Sequence, residues 1–205
     1  MMSGKRLGIL GGAFDPIHIG HLFVASAVAA QAGLDRVLFL PVGDPAHRAA
    51  NAPAAARQAM VQQAIADNPL FALDDTALRQ PGPVYTADTM PLLRRAYPDA
   101  QFDFIAGADS LVDTPWRRLD EVVRALHRFY VVARQGTDPR RIAPALATLP
   151  PELAQRFELL NLPLVDVSSS IIRQRIALGK PIRYLVPDAV ADYIRREALY
   201  ARGDA

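Results

Sequence analysis

The stretch 7–25 constrains the fold of this chain more than any other part of its sequence. Leu7–Leu10 is a short apolar run of the kind that forms a buried strand. Gly11 and Gly12 follow it, and an apolar helix is predicted from Gly20 onward. Glycine lets the backbone turn sharply and approach a ligand closely. The strand, loop and helix therefore predict an anion site made of free backbone N–H groups at a helix N-terminus.

Two histidines lie where this helix begins. His18 and His21 are three residues apart, a spacing that places both imidazoles on one side of a helical turn. Each ring can donate a hydrogen bond and binds anionic oxygen more strongly when protonated. A single histidine here would more often be a loop cap or a satisfied half-buried group. The pair, aimed at one anion site, instead favours polyphosphate handling over hydride transfer.

Size and composition favour one α/β domain. The chain has 205 residues, 51% of them hydrophobic, and contains no uninterrupted apolar run of membrane-spanning length. The net charge of +2 is too small to indicate nucleic-acid binding, and the first residues fit no signal peptide. Because there is no cysteine, disulfides and thiolate metal sites are excluded. We expect a cytoplasmic protein that binds neither nucleic acid nor membrane.

Further apolar runs predict a sheet of several buried strands. They are Arg36–Pro41, a short strand from Phe71, Gln101–Ala106, His127–Ala133 and one or two short strands within Phe157–Val167. Because helical segments separate these strands, we expect a parallel sheet with right-handed crossovers. The predicted fold is an α/β, Rossmann-like, doubly wound sheet flanked by helices. It forms a single domain over residues 1–205, with a small helical part from about residue 168.

Three later segments also suit anion binding. Gly107 and Asp109 form a second glycine turn that enters a helix. Thr86 is a candidate N-cap for a helix that runs to about Tyr97. Ser168-Ser169-Ser170 predicts another capped helix start, and Arg173 lies one turn later, within reach of the same anion.

The first of these motifs resembles a known signature. Gly-Gly-Ala-Phe-Asp-Pro-Ile-His-Ile-Gly-His, at residues 11–21, resembles the GGxFDPxHxGH motif of bacterial nicotinate-nucleotide adenylyltransferases. Its His-Ile-Gly-His core is similar to the motif of the wider nucleotidyltransferase superfamily. With gaps, the resemblance extends from about Leu7 to Tyr200. It departs from the family at Arg48, where lysine is usual, and at Pro83-Val84.

The resemblance implies a role for each matching residue. The implied catalytic residues, which hydrogen-bond or neutralise phosphate, are His18, His21, Arg48 and Arg173. The implied ATP-binding residues are Gly11, Gly12, Phe14, Gly107, Asp109, Arg134, Ser169 and Ser170. The implied nicotinate mononucleotide-binding residues are Ala13, Asp15, Tyr85, Thr86 and Trp116, with Trp116 stacking on the nicotinate ring.

The expected reaction is adenylyl transfer from ATP to nicotinate mononucleotide. No covalent nucleophile is evident, so positioning and charge neutralisation would carry the chemistry. Mg²⁺ is expected to arrive with ATP, without a protein metal cage.

Three alternatives stay open at this stage. They are nicotinamide mononucleotide as the substrate, a phosphopantetheine adenylyltransferase, and a non-catalytic nucleotide-binding module. A Rossmann dehydrogenase is disfavoured because no acidic residue suitably follows a GxGxxG fingerprint. The sequence leaves self-association into a homo-oligomer open.

Overall fold

Eight strands and nine helices occur in the residues that the structure, a computed structural model, describes: 4–45, 49–113, 116–134, 142–163 and 165–201. The strands are β1 (Arg6–Gly12), β2 (Arg36–Pro41), β3 (Asp44–Pro45), β4 (Phe71–Leu73), β5 (Pro83–Val84), β6 (Gln101–Gly107), β7 (Arg128–Arg134) and β8 (Phe157–Leu162). The helices are α1 (Ile19–Ala32), α2 (Ala54–Ala64), α3 (Thr86–Ala96), α4 (Ala108–Asp113), α5 (Leu119–Arg124), α6 (Ala143–Ala147), α7 (Pro151–Ala154), α8 (Ser169–Ala177) and α9 (Asp188–Arg196).

The central sheet has six parallel strands in the order β4-β2-β1-β6-β7-β8. The chain builds outward from β1 in one direction and then returns to place β6 on the other side of β1. The strand order therefore reverses between β1 and β6. In open α/β sheets, ligands bind outside the carboxyl ends of the strands at such a switch point. The predicted doubly wound parallel sheet is confirmed.

Alternation along the strands divides the apolar core between the two faces of the sheet. Ile9 and Phe104 pack on the face that α3 and α5 cover, whereas their neighbours Leu10 and Ile105 pack on the face that α1 and α2 cover. Successive side chains of a strand point to opposite faces. Each fully buried large side chain contributes about 1.5–3 kcal/mol. The core thus fixes the strand register that brings the glycine-containing strand ends together.

The C-terminal helices pack on the sheet face that carries α1 and α2. Ile172 of α8 and Val190 and Ile194 of α9 are buried in the same cluster as Phe39 of β2. The (i, i+4) spacing of Val190 and Ile194 gives α9 one apolar face. This segment is therefore a packing element of the fold. The single-domain assignment for residues 1–205 stays a prediction.

Several local predictions are corrected. β1 runs on to Gly12, so the chain does not turn at Gly11 as expected. Tyr85, not Thr86, is the N-cap of α3, because Thr86 already has helical geometry. Ser168 does cap α8, its Oγ accepting a hydrogen bond from the backbone N–H of Ile171 at 3.2 Å.

Two strands were not expected from the sequence. The composition of residues 42–53 and 80–84 predicts loops. Each segment instead contains a two-residue strand, and these strands, β3 and β5, pair in parallel. Asp74, directly after β4, is buried and accepts hydrogen bonds from the backbone N–H of Thr76 and the hydroxyl of Tyr97. Within the described ranges, no helix is long and apolar enough to cross a membrane.

Candidate active site

Two cavities open where β1 and β6 end. Cavity A has a volume of about 380 Å³ and cavity B of about 270 Å³. Leu10, His21 and Gly107 line both, so the cavities adjoin at these three residues. A Cβ atom on Gly107 would find no heavy atom within 4 Å and would project into open space. Glycine at this position therefore leaves room where the two cavities adjoin.

The two histidines form a stacked pair at the start of α1. Their ring centroids are 3.7 Å apart with an interplanar angle of 28°. The Nδ1 atom of His21 accepts a hydrogen bond from the backbone N–H of His18 at 3.2 Å. A neutral His21 therefore carries its proton on Nε2, which makes that atom a donor. The prediction that both imidazoles lie on one side of the helix start is confirmed.

Gly20, inside the His-Ile-Gly-His motif, makes room for the first imidazole. A Cβ atom at this position would lie 3.0 Å from Nδ1 and 3.1 Å from Cε1 of His18. The His18 side chain is 7% exposed, and its buried Nδ1 has no hydrogen-bond partner among the described residues. Because buried polar atoms in proteins are nearly always hydrogen-bonded, this atom is a candidate to bind a ligand.

Burial keeps both rings neutral. It lowers the pKa of His18 to about 4. The pKa of His21 is lowered well below 6.5 by burial and, to a smaller extent, by the neighbouring His18 imidazole. The sequence had suggested anion binding by protonated rings. At neutral pH the unliganded site instead offers two neutral imidazoles, which act as N–H donors.

The free energy of unfolding should fall as the pH is lowered from about 6.5 to about 4. In this range the unfolded chain protonates His18 while the folded protein keeps it neutral, because its folded pKa is about 4 against an unperturbed 6.5. The contribution of His18 to stability is complete at pH values above its pKa in the unfolded chain. It decreases by on the order of 2–3 kcal/mol as the pH falls towards the pKa of His18 in the folded protein. Denaturant titrations across this range, on the native protein and on His18→Gln, measure the effect. The variant should show a shallower dependence, and an identical dependence would contradict the assignment of a buried neutral ring.

Cavity A brings together the aromatic and helix-start residues predicted to bind the mononucleotide. Trp116 lines it, with its indole Nε1 donating to the carbonyl of Ser110 at 3.1 Å. The rings of Phe104 and Phe129 meet the indole edge-on at 5.6 and 5.5 Å. These contacts fix the orientation of the only tryptophan in the chain. An indole held in this way can present a flat apolar surface to an aromatic ligand.

The N-terminus of α3 forms another wall of cavity A. Tyr85 and Thr86 both line the cavity. The backbone N–H groups of the first helical turn, at Thr86 and Ala87, have no acceptor within the helix. They carry the positive end of the helix dipole. A carboxylate or phosphate is therefore a suitable ligand for this wall.

Cavity B brings His18 and His21 together with the second glycine motif. Its other walls include Asp109 of α4, Val132 and Ala133 of β7, and the segment after β8. Arg134 is the last residue of β7, but its side chain lies outside what the structure describes. Gly107 and Asp109 therefore lie beside the two histidines.

The carboxyl-terminal serine and arginine motif packs against the first loop. The Oγ of Ser169 donates to the carbonyl of Pro16 at 2.8 Å. Arg173 donates from Nη1 to the carbonyl of Asp15 at 2.6 Å and from Nη2 to the Oγ of Ser170 at 3.3 Å. The C-terminal motif thus contacts the chain just before His18, although the contacting residues are about 150 positions apart in sequence. None of the three motif side chains lines cavity A or cavity B.

Asp15 holds the first loop in place. Its carboxylate, 4% exposed, accepts hydrogen bonds from the backbone and side-chain nitrogens of Asn51, the backbone N–H of Ala52 and the hydroxyl of Tyr200. Burial alone would raise the pKa of Asp15, but these hydrogen bonds outweigh it and the pKa is lowered. Because its oxygens are engaged in this way, the geometry favours a positioning role over the implied contact with the mononucleotide.

Phe14 also has a positioning role, because it packs against His21. Its side chain is buried, and its ring meets the imidazole of His21 edge-on at 5.1 Å and the ring of Phe39 at 5.9 Å. It lines neither cavity, so the geometry favours packing beneath His21 over the implied contact with ATP.

Arg57, 1% exposed, ties three backbone segments together. Its guanidinium donates to the carbonyls of Ala52, Ala13, Val42 and Gly43 at 3.1, 2.8, 2.7 and 2.6 Å. Burial lowers its pKa, with nearby negative groups opposing the change. Since Ala13 and Val42 line cavity A, this side chain positions part of the cavity wall.

The structure thus gathers most of the predicted site residues around two adjoining cavities. Cavity A is lined by Gly11, Gly12, Ala13, His21, Tyr85, Thr86, Gly107 and Trp116. Cavity B is lined by His18, His21, Gly107 and Asp109. Gly11 and Gly12, predicted for ATP, therefore border cavity A. Arg48 lies outside the described residues.

Sequence reasoning missed four residues around the site. Asn51 and Tyr200 anchor Asp15, Arg117 lines cavity A, and Arg57 holds the backbone of the cavity wall. For Arg57, the one signal in the sequence was a charged residue among the apolar positions of α2. That signal did not identify the carbonyl groups that it binds.

A parallel α/β sheet with paired histidines at its switch point defines a nucleotidyltransferase-like domain, and residues 9–175 match the model of the cytidylyltransferase-like family. Within that family, the chain belongs to the nicotinate-nucleotide adenylyltransferases. It is 44% identical over 203 residues to a Symbiobacterium thermophilum protein named "Probable nicotinate-nucleotide adenylyltransferase", covering 98% of this chain and 97% of the relative. It is 42% identical to a protein of the same name from Thermomicrobium roseum, with 98% and 94% covered.

Solved structures share the fold. The nicotinic acid mononucleotide adenylyltransferase of Plasmodium falciparum, complexed with NaAD, superposes with a TM-score of 0.77 at 20% identity, covering 96% of this chain and 97% of that one. The same enzyme complexed with APC gives a TM-score of 0.74. At this level of identity the similarity demonstrates the common architecture.

Proposed function

We propose that the protein transfers the adenylyl group of ATP to nicotinate mononucleotide, giving nicotinate adenine dinucleotide and pyrophosphate, a step of NAD biosynthesis. The names of relatives at more than 40% identity over nearly the whole chain support this activity. The observation that carries the proposal is the pair of cavities that adjoin at His21 and Gly107. Two nucleotides bound one in each cavity would bring their phosphates together beside the stacked imidazoles.

The chemistry of the cavity walls supports a separate cavity for each substrate. In cavity A, the face of Trp116 suits the pyridine ring and the N-terminus of α3 suits its carboxylate. Cavity B would hold the adenosine part of ATP between β7 and the start of α1, with Asp109 placed to accept hydrogen bonds from hydroxyl groups.

The reaction forms one P–O bond and breaks another. A phosphate oxygen of the mononucleotide attacks the α-phosphorus of ATP, and the bond from this phosphorus to the oxygen bridging to the β-phosphate breaks. Negative charge then accumulates on the departing pyrophosphate. Catalysis rests on alignment of the two phosphates and stabilisation of this charge, without a covalent intermediate.

The two imidazoles would supply hydrogen bonds to the phosphates. His21 carries its proton on Nε2 because its Nδ1 is engaged, and that N–H is the available donor. An approaching phosphate would also favour the protonated form of both rings and so raise their low pKa values.

Two arginines would complete the charge neutralisation. The guanidinium of Arg173 has five N–H donors, and its contacts with Asp15 and Ser170 within the described part of the chain leave others for the β- and γ-phosphates. The same role is proposed for Arg48 from the family resemblance.

Mg²⁺ would enter as part of the ATP complex and neutralise phosphate charge when bound. The described residues contain no group of three or more His, Asp and Glu side chains that could hold a metal ion. In this proposal, phosphate and water oxygens supply most of the Mg²⁺ ligands.

We place the activity in the cytoplasm, within one domain spanning residues 1–205.

Pyrophosphate release tests the proposal. With MgATP and nicotinate mononucleotide the purified protein should release pyrophosphate and form the dinucleotide in equal amounts, and omission of the mononucleotide should abolish both. Parallel reactions with nicotinamide mononucleotide and with phosphopantetheine test the alternative acceptors. Faster turnover with either acceptor, or no turnover with any of the three, would contradict the proposed activity.

A further inference from the structure

We infer that Arg117 sets the preference of cavity A for a mononucleotide whose pyridine ring carries a carboxylate over one that carries an amide. The inference rests on the proposed function. It concerns a residue that the sequence motifs did not single out.

Arg117 supplies a positive charge to the described lining of cavity A. Among the described residues that line cavity A, it is the one with a cationic side chain, and none is aspartate or glutamate. His21 is neutral because burial lowers its pKa. A ligand in cavity A therefore meets an electrostatic field to which Arg117 and the N-terminus of α3 both contribute positive potential.

The guanidinium lies over the aromatic ring of the residue that caps α3. Its Cζ atom is 4.3 Å from the centroid of the Tyr85 ring, and Tyr85 is the N-cap of α3. Arg117 also directly follows Trp116, whose indole is fixed by its hydrogen bond to Ser110. A pyridine ring stacked on Trp116, with its substituent towards the α3 N-terminus, would place that substituent near the guanidinium.

The next residue provides a matched control. Arg118 forms ion pairs with Asp88 and with Glu121 and does not line cavity A. The two adjacent arginines are both exposed. They differ in their surroundings, since the charge of Arg118 is offset by two carboxylates on the surface while Arg117 faces the cavity over an aromatic ring.

The acid and the amide differ by one negative charge and are otherwise nearly identical in shape. A guanidinium at this wall stabilises the carboxylate, whereas its effect on an amide is small. We expect Arg117→Gln to weaken binding of nicotinate mononucleotide about tenfold and binding of nicotinamide mononucleotide less than about threefold. Arg117→Lys should keep most of the preference, and Arg118→Gln should keep all of it.

Calorimetric titration of each mononucleotide, without ATP, measures these affinities. The preference of the native protein for the acid should also shrink as salt is raised, a second measurement that needs no variant. Equal binding of acid and amide by the native protein, or an affinity ratio unchanged in Arg117→Gln, would overturn the inference.

Binding and turnover separate this inference from the proposed function. If the preference depends on Arg117 but ATP yields no pyrophosphate, adenylyl transfer is wrong and the inference stands. If the dinucleotide forms while the affinity ratio is insensitive to Arg117, the inference is wrong and the activity stands.

Discussion

Replacing His18 with alanine is expected to lower kcat for adenylyl transfer by about 10²–10³-fold while the protein stays folded. Removing one donor that stabilises developing negative charge commonly has an effect of this size. The substitution should leave the orientation of His21 unchanged, because the hydrogen bond that orients it comes from the backbone N–H of residue 18, which alanine retains. The deleted Nδ1 has no partner within the described part of the chain, so its removal leaves no buried group unsatisfied there. Steady-state turnover with saturating substrates measures the change.

A histidine at the other end of the sheet provides the control. His127 lies just before β7, and its Nδ1 is 3.0 Å from one carboxylate oxygen of Asp103. Arg6 contacts the other oxygen of this carboxylate. His127→Ala should keep native turnover because the side chain is remote from both cavities. Thermal unfolding of both variants checks the fold. Turnover of folded His18→Ala within about threefold of the native value would refute the catalytic role of this imidazole.

The parts of the fold that depend on short-range pattern could be predicted from the sequence. Buried parallel strands read as continuous apolar runs, so β1, β2, β6 and β7 were each located to within about two residues. The glycine motifs at the ends of β1 and β6 are local signals as well. A doubly wound sheet brings the ends of adjacent strands together, which is why these motifs lie side by side in the structure.

The parts that depend on long-range contacts could not be predicted. The anchors of Asp15 lie 36 and 185 residues away in sequence, at Asn51 and Tyr200, and neither carries a local signature. The pairing of β3 with β5 joins two segments that by composition read as loops. Protonation is also a property of burial in the folded chain. The neutrality of His18 and His21 therefore follows from three-dimensional packing, which the sequence alone does not reveal.

Arg57 shows how such long-range contacts stabilise the site, and Arg57→Ala is expected to lower the free energy of unfolding by about 3–5 kcal/mol. The substitution removes the donor to four backbone carbonyls, three of them in the segments that border cavity A. Arg57→Lys keeps the charge, but a single ammonium cannot reach carbonyls that the planar guanidinium spans, so most of the loss should persist. Denaturant unfolding at neutral pH measures both variants.

An exposed arginine gives the contrasting case. Arg79 pairs with Asp75 on the surface, and Arg79→Ala should change stability by less than about 1 kcal/mol. If Arg57→Ala lost no more stability than Arg79→Ala, the four carbonyls would have to find other partners, and the buried guanidinium would not hold the loops. With the expected loss, the variant should also bind the mononucleotide more weakly even where it remains folded, because Ala13 and Val42 would no longer be fixed in the wall of cavity A. Stability and binding would then fall together, which links the buried arginine to the geometry on which the chemistry depends.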